Sequence, residues 1–487
     1  MITGLLFLIP LLAVPWVMTS DGDKAIRRNA LIASLLEFVA SMLIFLQFRN
    51  SGAPELLISF PWIPNLGVRF SFGMDGISLL VVLLTTFLTP IIILASSQFQ
   101  AKRLNIYFGL VLFMEMALIG VFTAQDGLVF YLFWELALIP IYFITAIWGG
   151  ANRIRITFKF FIYTLSGSLI MLVALIYIYF QTPYPHSFDF QALYNASLTV
   201  EAQRWVFAAF FLAFAIKIPI FPFHTWQPDT YTEAPAAGSM LLAGIMLKMG
   251  LYGIIRLMIP LCPLAFNDLA LPAILLSVAG IIYASIIALR QKDLKRMIAY
   301  VSIAHVGLIA AGSFSLKDIA LQGAVIQMFS HGINVVGLFI LIDIIENRFR
   351  TRRIDNLGGI AQAMPRFAIV FMILLLGSIA LPLTNGFVGE FLLLLGLFQY
   401  SPWISLAAGT TIIFGAVYML WMYQRVMLGN LPEKLAGKSA DLDLSEMFTL
   451  IPLVIMVIWI GWYPKPFLQL AEPAIRSILN IAFALPN

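Results

Sequence analysis

The sequence contains little that supports chemistry in water. It has a single cysteine, Cys262, in 487 residues, which excludes disulfides within the chain and any cluster held by several cysteine ligands. Only 11% of the residues are charged, against about 25% in soluble domains. There is no glycine-rich phosphate-binding loop and no haem or iron–sulfur spacing. We therefore expect neither a cofactor nor a metal site in this chain.

Long apolar runs fill the remainder of the sequence. Hydrophobic residues make up 61% of it, and the mean hydropathy is +0.96. Such runs predict an all-α, polytopic membrane protein with about fourteen membrane spans. The first run lacks a basic start and a small-residue cleavage site, so we interpret it as a retained span. The predicted spans are residues 2–20, 30–48, 76–96, 106–123, 127–147, 160–180, 205–223, 238–258, 270–289, 297–313, 319–344, 367–398, 403–426 and 447–463.

The basic residues indicate an orientation. Most of those that flank predicted spans lie in loops after odd-numbered spans, such as 20–29, 290–296 and 345–366. Loops rich in lysine and arginine stay on the cytoplasmic side. The distribution therefore predicts that both termini face outward.

Two predicted spans contain helix-breaking segments, "KIPIFPFHTW" in span 7 and "LPLTNGFVGE" in span 12. Proline removes a backbone donor and clashes with the preceding turn, so each helix should break there. Paired broken helices indicate inverted repeats of the kind found in transporters. We predict one repeat in residues 106–260 (spans 4–8) and a second, inverted one in residues 261–428 (spans 9–13). Residues 1–105 hold spans 1–3, and residues 429–487 hold span 14 and an amphipathic surface segment.

Ionisable residues within the spans are the main functional candidates, because such residues are costly in a membrane and are retained for a purpose. The residues of this kind near the breaks or along spans 5 to 12 are Glu135, Lys217, Lys248, His305, His331 and Glu390. Side chains that gain and lose protons are the only carriers that the sequence offers. The alternatives are a structural ion pair for the carboxylate and lysine, and satisfied core histidines for His305 and His331.

Four further polar residues have less certain roles. Glu37 and Glu115 lie in spans 2 and 4, and we interpret them as structural because neither lies beside a break. His224 and Asp229 follow the break of span 7. They either shape a proton entrance or cap short helices.

Several stretches carry a family resemblance. They include "GMDGISLL", "FWELALIPIYF", "AFAIKIPIFPFHTWQPD", "DLKRMIAYVSIAHVGLI", "GAVIQMFSHGINVVGLFIL" and "NGFVGEFLLL". The chain resembles the antiporter-like membrane subunits of respiratory complex I, in particular the M type, called chain 4 in mitochondria. One departure is Leu383, which stands where the family often has glycine.

The resemblance implies a role for each matching residue. Glu135 matches the carboxylate that partners the span 7 lysine, here Lys217, and Lys248 matches the connecting lysine of span 8. The two histidines of spans 10 and 11 match the central polar axis, and Glu390 matches the distal proton carrier. The resemblance also implies an inner half-channel in the first repeat and an outer one in the second.

The same resemblance implies a setting for the chain. Redox chemistry with NADH or ferredoxin, flavin, iron–sulfur clusters and a quinone is expected in other subunits. The expected partners are neighbouring antiporter-like subunits and the lipid bilayer of a bacterial inner membrane, with no nucleic acid. One alternative is a subunit of a multi-subunit sodium–proton antiporter, although such subunits usually carry lysine at the position of Glu390. A passive scaffold is another, although the row of intramembrane charges argues against it.

Overall fold

The computed structural model describes residues 4–51, 55–433 and 440–483. The bundle is built almost entirely of helices. In chain order they are α1 (Leu5–Met18), α2 (Asp23–Ser51), α3 (Gly76–Ala95), α4 (Leu104–Thr123), α5 (Gly127–Leu136), α6 (Leu138–Trp148), α7 (Arg153–Gln181), α8 (Phe190–Tyr194), α9 (Val200–Lys217), α10 (Gln227–Glu233), α11 (Ala236–Leu241), α12 (Lys248–Gly253), α13 (Ile259–Leu261), α14 (Phe266–Leu289), α15 (Leu294–Phe314), α16 (Asp318–Phe349), α17 (Ile360–Ala363), α18 (Pro365–Ser378), α19 (Asn385–Tyr400), α20 (Pro402–Met427), α21 (Leu444–Trp462) and α22 (Lys465–Phe483).

The prediction of an all-helical polytopic membrane protein is confirmed, and one loop between the helices adds a short hairpin. Between α2 and α3 the chain forms an antiparallel hairpin of β1 (Glu55–Ile63) and β2 (Val68–Met74). The hairpin closes through Gly67, whose φ of +62° lies in the left-handed region that favours glycine. The sequence analysis missed it because the loop carries no span-length hydrophobic signal.

Eleven helical segments among the described residues are long and apolar enough to cross a membrane. They correspond to all of the predicted spans except 1, 7 and 12. Span 1 is the short apolar helix α1. Spans 7 and 12 are not among the eleven segments. Each is divided at its predicted break, with α9 ending at Lys217 and α18 at Ser378.

The break of span 7 is stabilised by a tryptophan. Beyond Lys217 the chain turns through the proline segment and resumes as α10. The indole Nε1 of Trp226 donates to the carbonyl of Ile216 at 2.8 Å. This bond satisfies a carbonyl that the broken helix leaves without its intrahelical donor.

The break of span 12 is held by α16. Ser330 donates to the carbonyl of Asn385 at 3.1 Å, and the Asn385 amide donates back to the Ser330 carbonyl at 3.3 Å. Leu383 adopts a φ of +73°, a region that favours glycine. Irregular backbone at membrane depth persists where protein groups satisfy it, as here.

Two further irregularities were not predicted. Span 5 is divided at Ala137, because Pro140 lacks the N–H that would bond to the Leu136 carbonyl. Span 8 is α-helical only in parts, with π-helical turns at Leu242–Met246 and Ile254–Met258 on either side of Lys248. Single π turns are frequently found at functional sites.

The loops alternate between two ends of the bundle. Loops after spans 9, 11 and 13 meet, since Asp293 pairs with Arg353 and Asp355 pairs with Arg425. The loops after spans 4 and 6 also meet, since the backbones of Asp126 and Asp189 form an isolated antiparallel bridge. This alternation agrees with the predicted succession of membrane crossings.

The C-terminal segment forms the helix α22, as the amphipathic pattern predicts. Its apolar face, including Ile475 and Ile478, packs on α3 and α16. Gly76 permits the close approach of α22, since a Cβ atom at that position would lie 1.6 Å from the Leu470 carbonyl oxygen. Residues 434–439 and 484–487 of the predicted 429–487 region lie outside the described residues.

Candidate functional site

Lys217 is a buried charge at the end of a broken helix. It is the last residue of α9, and only 2% of it is exposed. Its Nζ has no hydrogen-bond partner among the described residues and lies 5.2 Å from the centroid of the Trp134 ring. An ammonium group over an indole face is stabilised by the ring quadrupole. The helix end and the ring thus hold the ammonium without neutralising it.

Glu135 follows Trp134 on α5. Its carboxylate interacts electrostatically with Lys217 and lies near the hydroxyls of Tyr131 and Ser168. No direct ion pair joins Glu135 and Lys217 in the described part of the chain, and the Oε1 atom of Glu135 is buried without a partner. The two groups therefore influence each other through space, unlike a closed structural ion pair.

Lys248 is fully buried and directly bonded. Its Nζ donates to the carbonyl of Ala243 at 2.7 Å and lies 2.9 Å from Nδ1 of His331. The Ala243 carbonyl belongs to the π-helical turn, where the regular i→i−4 bonding is interrupted. The irregular turn therefore supplies an acceptor for the ammonium group.

The two histidines lie between Lys248 and Glu390. Nε2 of His331 lies 3.2 Å from the Ser302 hydroxyl, and the rings of His331 and His305 are 6.4 Å apart between centroids. Nδ1 of His305 lies 2.7 Å from Oε1 of Glu390. The structure thus brings Lys248, both histidines and Glu390 into one buried series, which we call the central series.

A small cavity adjoins the central series. Its polar lining is formed by Ser302, His305, Gln327, His331, Asn334 and Ser378. Three of its polar atoms, His305 Nε2, Gln327 Oε1 and Asn334 Oδ1, are buried without a hydrogen-bond partner. They leave the cavity with two amide oxygens that can accept a hydrogen bond and one imidazole nitrogen, none of them paired among the described residues.

Sequence reasoning missed the neutral members of this site. The Gln327 amide lies 3.4 Å from Glu390 Oε1, and Asn334 lines the cavity. A signal for them existed, because Gln327, His331 and Asn334 recur at intervals of three and four residues on α16 and so share one face. Polar residues at helical spacing within an apolar span mark such a face.

The two predicted entrance residues lie apart from the central series. Asp229 pairs with Lys159 and Arg296, each at 2.9 Å, and so links α10 to α7 and α15. His224 is buried, and its ring packs against Phe221 with centroids 5.6 Å apart. The two ion pairs of Asp229 cross-link α10 to α7 and α15. An entrance role for His224 or Asp229 stays a prediction.

Metal binding has no support in the part of the chain that the structure describes. Those residues contain no group of three or more histidine, cysteine, aspartate or glutamate side chains placed to hold a metal ion. The only cysteine, Cys262, is buried.

Known proteins are similar to this chain. Residues 124–415 match a family described as NADH:quinone oxidoreductase/Mrp antiporter, TM. Subunit M of the NADH-quinone oxidoreductase of Rickettsia conorii is 42% identical over 481 residues, covering 97% of each chain. Chain 4 of the NADH-ubiquinone oxidoreductase of Arabidopsis thaliana is 40% identical over 459 residues, covering 94% of this chain and 92% of that one. The chain belongs to the subunit M family of NADH-quinone oxidoreductases.

The family assignment agrees with the fold. A chain of respiratory complex I from Thermus thermophilus with bound NADH superposes with a TM-score of 0.91 at 30% identity, covering 99% of this chain and 100% of that one. As a subunit M family member, the chain is an antiporter-like, proton-translocating membrane subunit of a complex I-type enzyme. The family assignment disfavours both a sodium–proton antiporter subunit and a passive scaffold.

Proposed function

We propose that protons cross this subunit along Glu135, Lys217, Lys248, His331, His305 and Glu390. The observation that carries the proposal is a pair of buried contacts, Lys248 with His331 and His305 with Glu390, whose histidine rings lie 6.4 Å apart between centroids. Each of these groups can bind and release a proton, and Lys248 contacts His331 as His305 contacts Glu390. A merely structural set would pair each charge with a fixed counter-charge.

In the proposed route, the charge of Glu135 controls whether Lys217 holds or releases its proton. At about 7 Å and an effective dielectric near 20, two unit charges interact by roughly 2.4 kcal/mol. Protonating Glu135, or moving it away, removes that stabilisation from the ammonium of Lys217. The lysine then releases its proton toward Lys248. The energy comes from redox chemistry in partner subunits that use NADH or ferredoxin, flavin, iron–sulfur clusters and a quinone.

The breaks support a two-part architecture. Residues 106–260 form the first repeat with a half-channel to the inner side, and residues 261–428 form the inverted second repeat with a half-channel to the outer side. Residues 1–105 and 429–487 flank them. Lys217 adjoins the first break and Glu390 the second, so each half-channel ends at an ionisable group. Neighbouring antiporter-like subunits are the proposed partners in the membrane arm.

Replacing Lys248 with methionine tests the route at its middle. The variant keeps the side-chain length but removes the proton-binding group, so we expect proton pumping below roughly a tenth of the wild-type rate, corresponding to a barrier higher by at least about 1.4 kcal/mol. Pumping is measured as proton uptake into vesicles that contain the intact complex. The matched control is Met249→Leu, a buried, volume-conserving change on the same turn. Equal pumping by both assembled variants would remove Lys248 from the route.

The orientation can be tested by cysteine labelling, because the native Cys262 is buried and gives little background. Cysteines introduced at the exposed positions Asp21 and Asn356 lie in loops that we place in the cytoplasm. They should resist a membrane-impermeant thiol reagent in intact cells, whereas a cysteine at the exposed Ser197 should react. Labelling of the Asn356 variant from outside, with protection at Ser197, would reverse the orientation.

A further inference from the structure

Two buried carboxyl groups lie outside the proposed proton route. Glu37 on α2 and Glu115 on α4 are each 1% exposed. They interact electrostatically with each other, and none of their four carboxyl oxygens has a hydrogen-bond partner among the described residues. Buried polar atoms are nearly always bonded, so a pair of unpartnered carboxyl groups requires an explanation.

Among the residues that the structure describes, no positive group lies on the helices that pack against both members of the pair. The helices α1 and α3, which pack against both α2 and α4, contain no lysine, arginine or histidine. On α2 itself the nearest basic residue is Arg28, nine positions before Glu37 and thus about 14 Å away along the helix. On α4 the nearest is Arg103, twelve positions before Glu115 and about 18 Å away.

Ionisable groups on the other elements that touch α4 are engaged elsewhere. Glu135 on α5 interacts with Lys217, and Lys248 on α12 is bonded to Ala243 and His331. Arg69 on β2 is bonded to the Ser59 hydroxyl, beyond the outer end of α4. The described helix α6 carries no charged side chain.

Nearby hydroxyl groups do not satisfy the carboxyls either. The hydroxyls of Ser41 on α2 and Thr86 on α3 are 2.7 Å apart and bond to each other. Thr89 lies close enough to Glu115 to interact with it, but its hydroxyl proton is donated to the carbonyl of Thr85 at 2.9 Å, and neither Glu115 oxygen has a hydrogen-bond partner among the described residues. Two bare carboxylates in this place would each lose their hydration without compensation, which strongly disfavours the charged form.

We propose that Glu37 and Glu115 form a second proton-binding site, which holds at least one proton between them. A proton is the smallest cation that neutralises a buried carboxylate, and it needs no further ligands. A sodium ion would need several oxygen ligands, whereas Ser41 and Thr86 are already paired. The site is not part of the hydrogen-bonded contacts of the main route. On α3, Thr86 faces α2, whereas Leu84 packs on Gly332 next to His331.

The site also couples protonation to helix packing. Loss of the proton places like charges on α2 and α4 at their contact, which favours separation of the two helices. The contact is therefore most stable with the proton bound. This property distinguishes the pair from the transfer groups of the central series, which are bonded to one another.

Infrared spectroscopy of the intact complex in vesicles tests the proposal. The wild type should show a carbonyl band of a buried, protonated carboxyl group, and this band should be absent from the double variant Glu37→Gln/Glu115→Gln. The single variant Glu115→Gln should keep a band from Glu37, and it provides the comparison if the double variant fails to assemble. The control Glu201→Gln changes an exposed carboxylate and should leave the band unaltered.

Two results would overturn the proposal. One is that the double variant differs from the wild type only by the loss of bands from ionised carboxylates, which means that the pair is charged. The other is a protonated band that disappears when sodium replaces potassium in the buffer, which means that the site binds a metal cation.

Discussion

Replacing Lys217 with arginine is expected to leave the complex assembled and to reduce proton pumping to below roughly a tenth of the wild-type rate, corresponding to at least about 1.4 kcal/mol in the barrier. A guanidinium group stays protonated under essentially any condition in a protein, whereas a buried lysine can release its proton. The positive charge and the Glu135 partner remain in the variant. Only the ability to lose a proton is removed.

The measurement is proton uptake into vesicles driven by NADH and quinone, with assembly checked on native gels. Lys465→Arg, at an exposed position on α22, is the matched control and should pump normally. Lys217→Met, which does not enlarge the side chain, should also fail and shows that crowding by the guanidinium is not the cause. Wild-type pumping by the arginine variant would mean that Lys217 serves only the fold.

The partner carboxylate should respond in a graded way. Glu135→Asp shifts the negative charge relative to Lys217 without deleting it, and Glu135→Gln deletes it. We therefore expect the aspartate variant to be the milder of the two in the same uptake assay. The reverse order would separate Glu135 from the loading of Lys217.

Replacing Glu390 with glutamine should produce a loss of pumping of similar size. Glutamine keeps an oxygen that accepts from His305 and from the Gln327 amide, the two groups that lie 2.7 Å and 3.4 Å from Oε1 of Glu390. It also fits the same volume, so assembly should persist. What is lost is the titration of the distal carrier, and pumping should fall to below roughly a tenth of wild type, again at least about 1.4 kcal/mol in the barrier.

Electron transfer distinguishes this outcome from a local defect. Because translocation and redox chemistry are coupled, NADH oxidation by the assembled Gln variant should fall together with pumping. Glu201→Gln, which changes an exposed carboxylate, should leave both rates unchanged. An assembled Glu390→Gln complex that pumps normally would reduce Glu390 to a structural residue.

Much of this molecule was determined by local features of its sequence. Span-length hydrophobic runs located the membrane helices, because a bilayer fixes the length of an apolar helix. The prolines predicted the breaks after Lys217 and after Ser378, because a proline has no N–H and so interrupts the hydrogen bonds of the helix that contains it. The rarity of charge within the spans marked the candidate residues, because such groups are costly in a membrane, and nearness to the breaks or a place along spans 5 to 12 distinguished the six proposed carriers from Glu37 and Glu115.

The tertiary structure alone decided which of these residues meet. The contacts of Lys248 with His331 and of His305 with Glu390 join residues 83 and 85 positions apart in the chain. They depend on the register and rotation of packed helices, which no local pattern specifies. The π-helical turn that presents the Ala243 carbonyl to Lys248 and the approach of Glu37 to Glu115 were hidden for the same reason. The hydrophobic pattern of a sequence indicates which groups are buried, but only the packing of the helices determines which of those groups face each other.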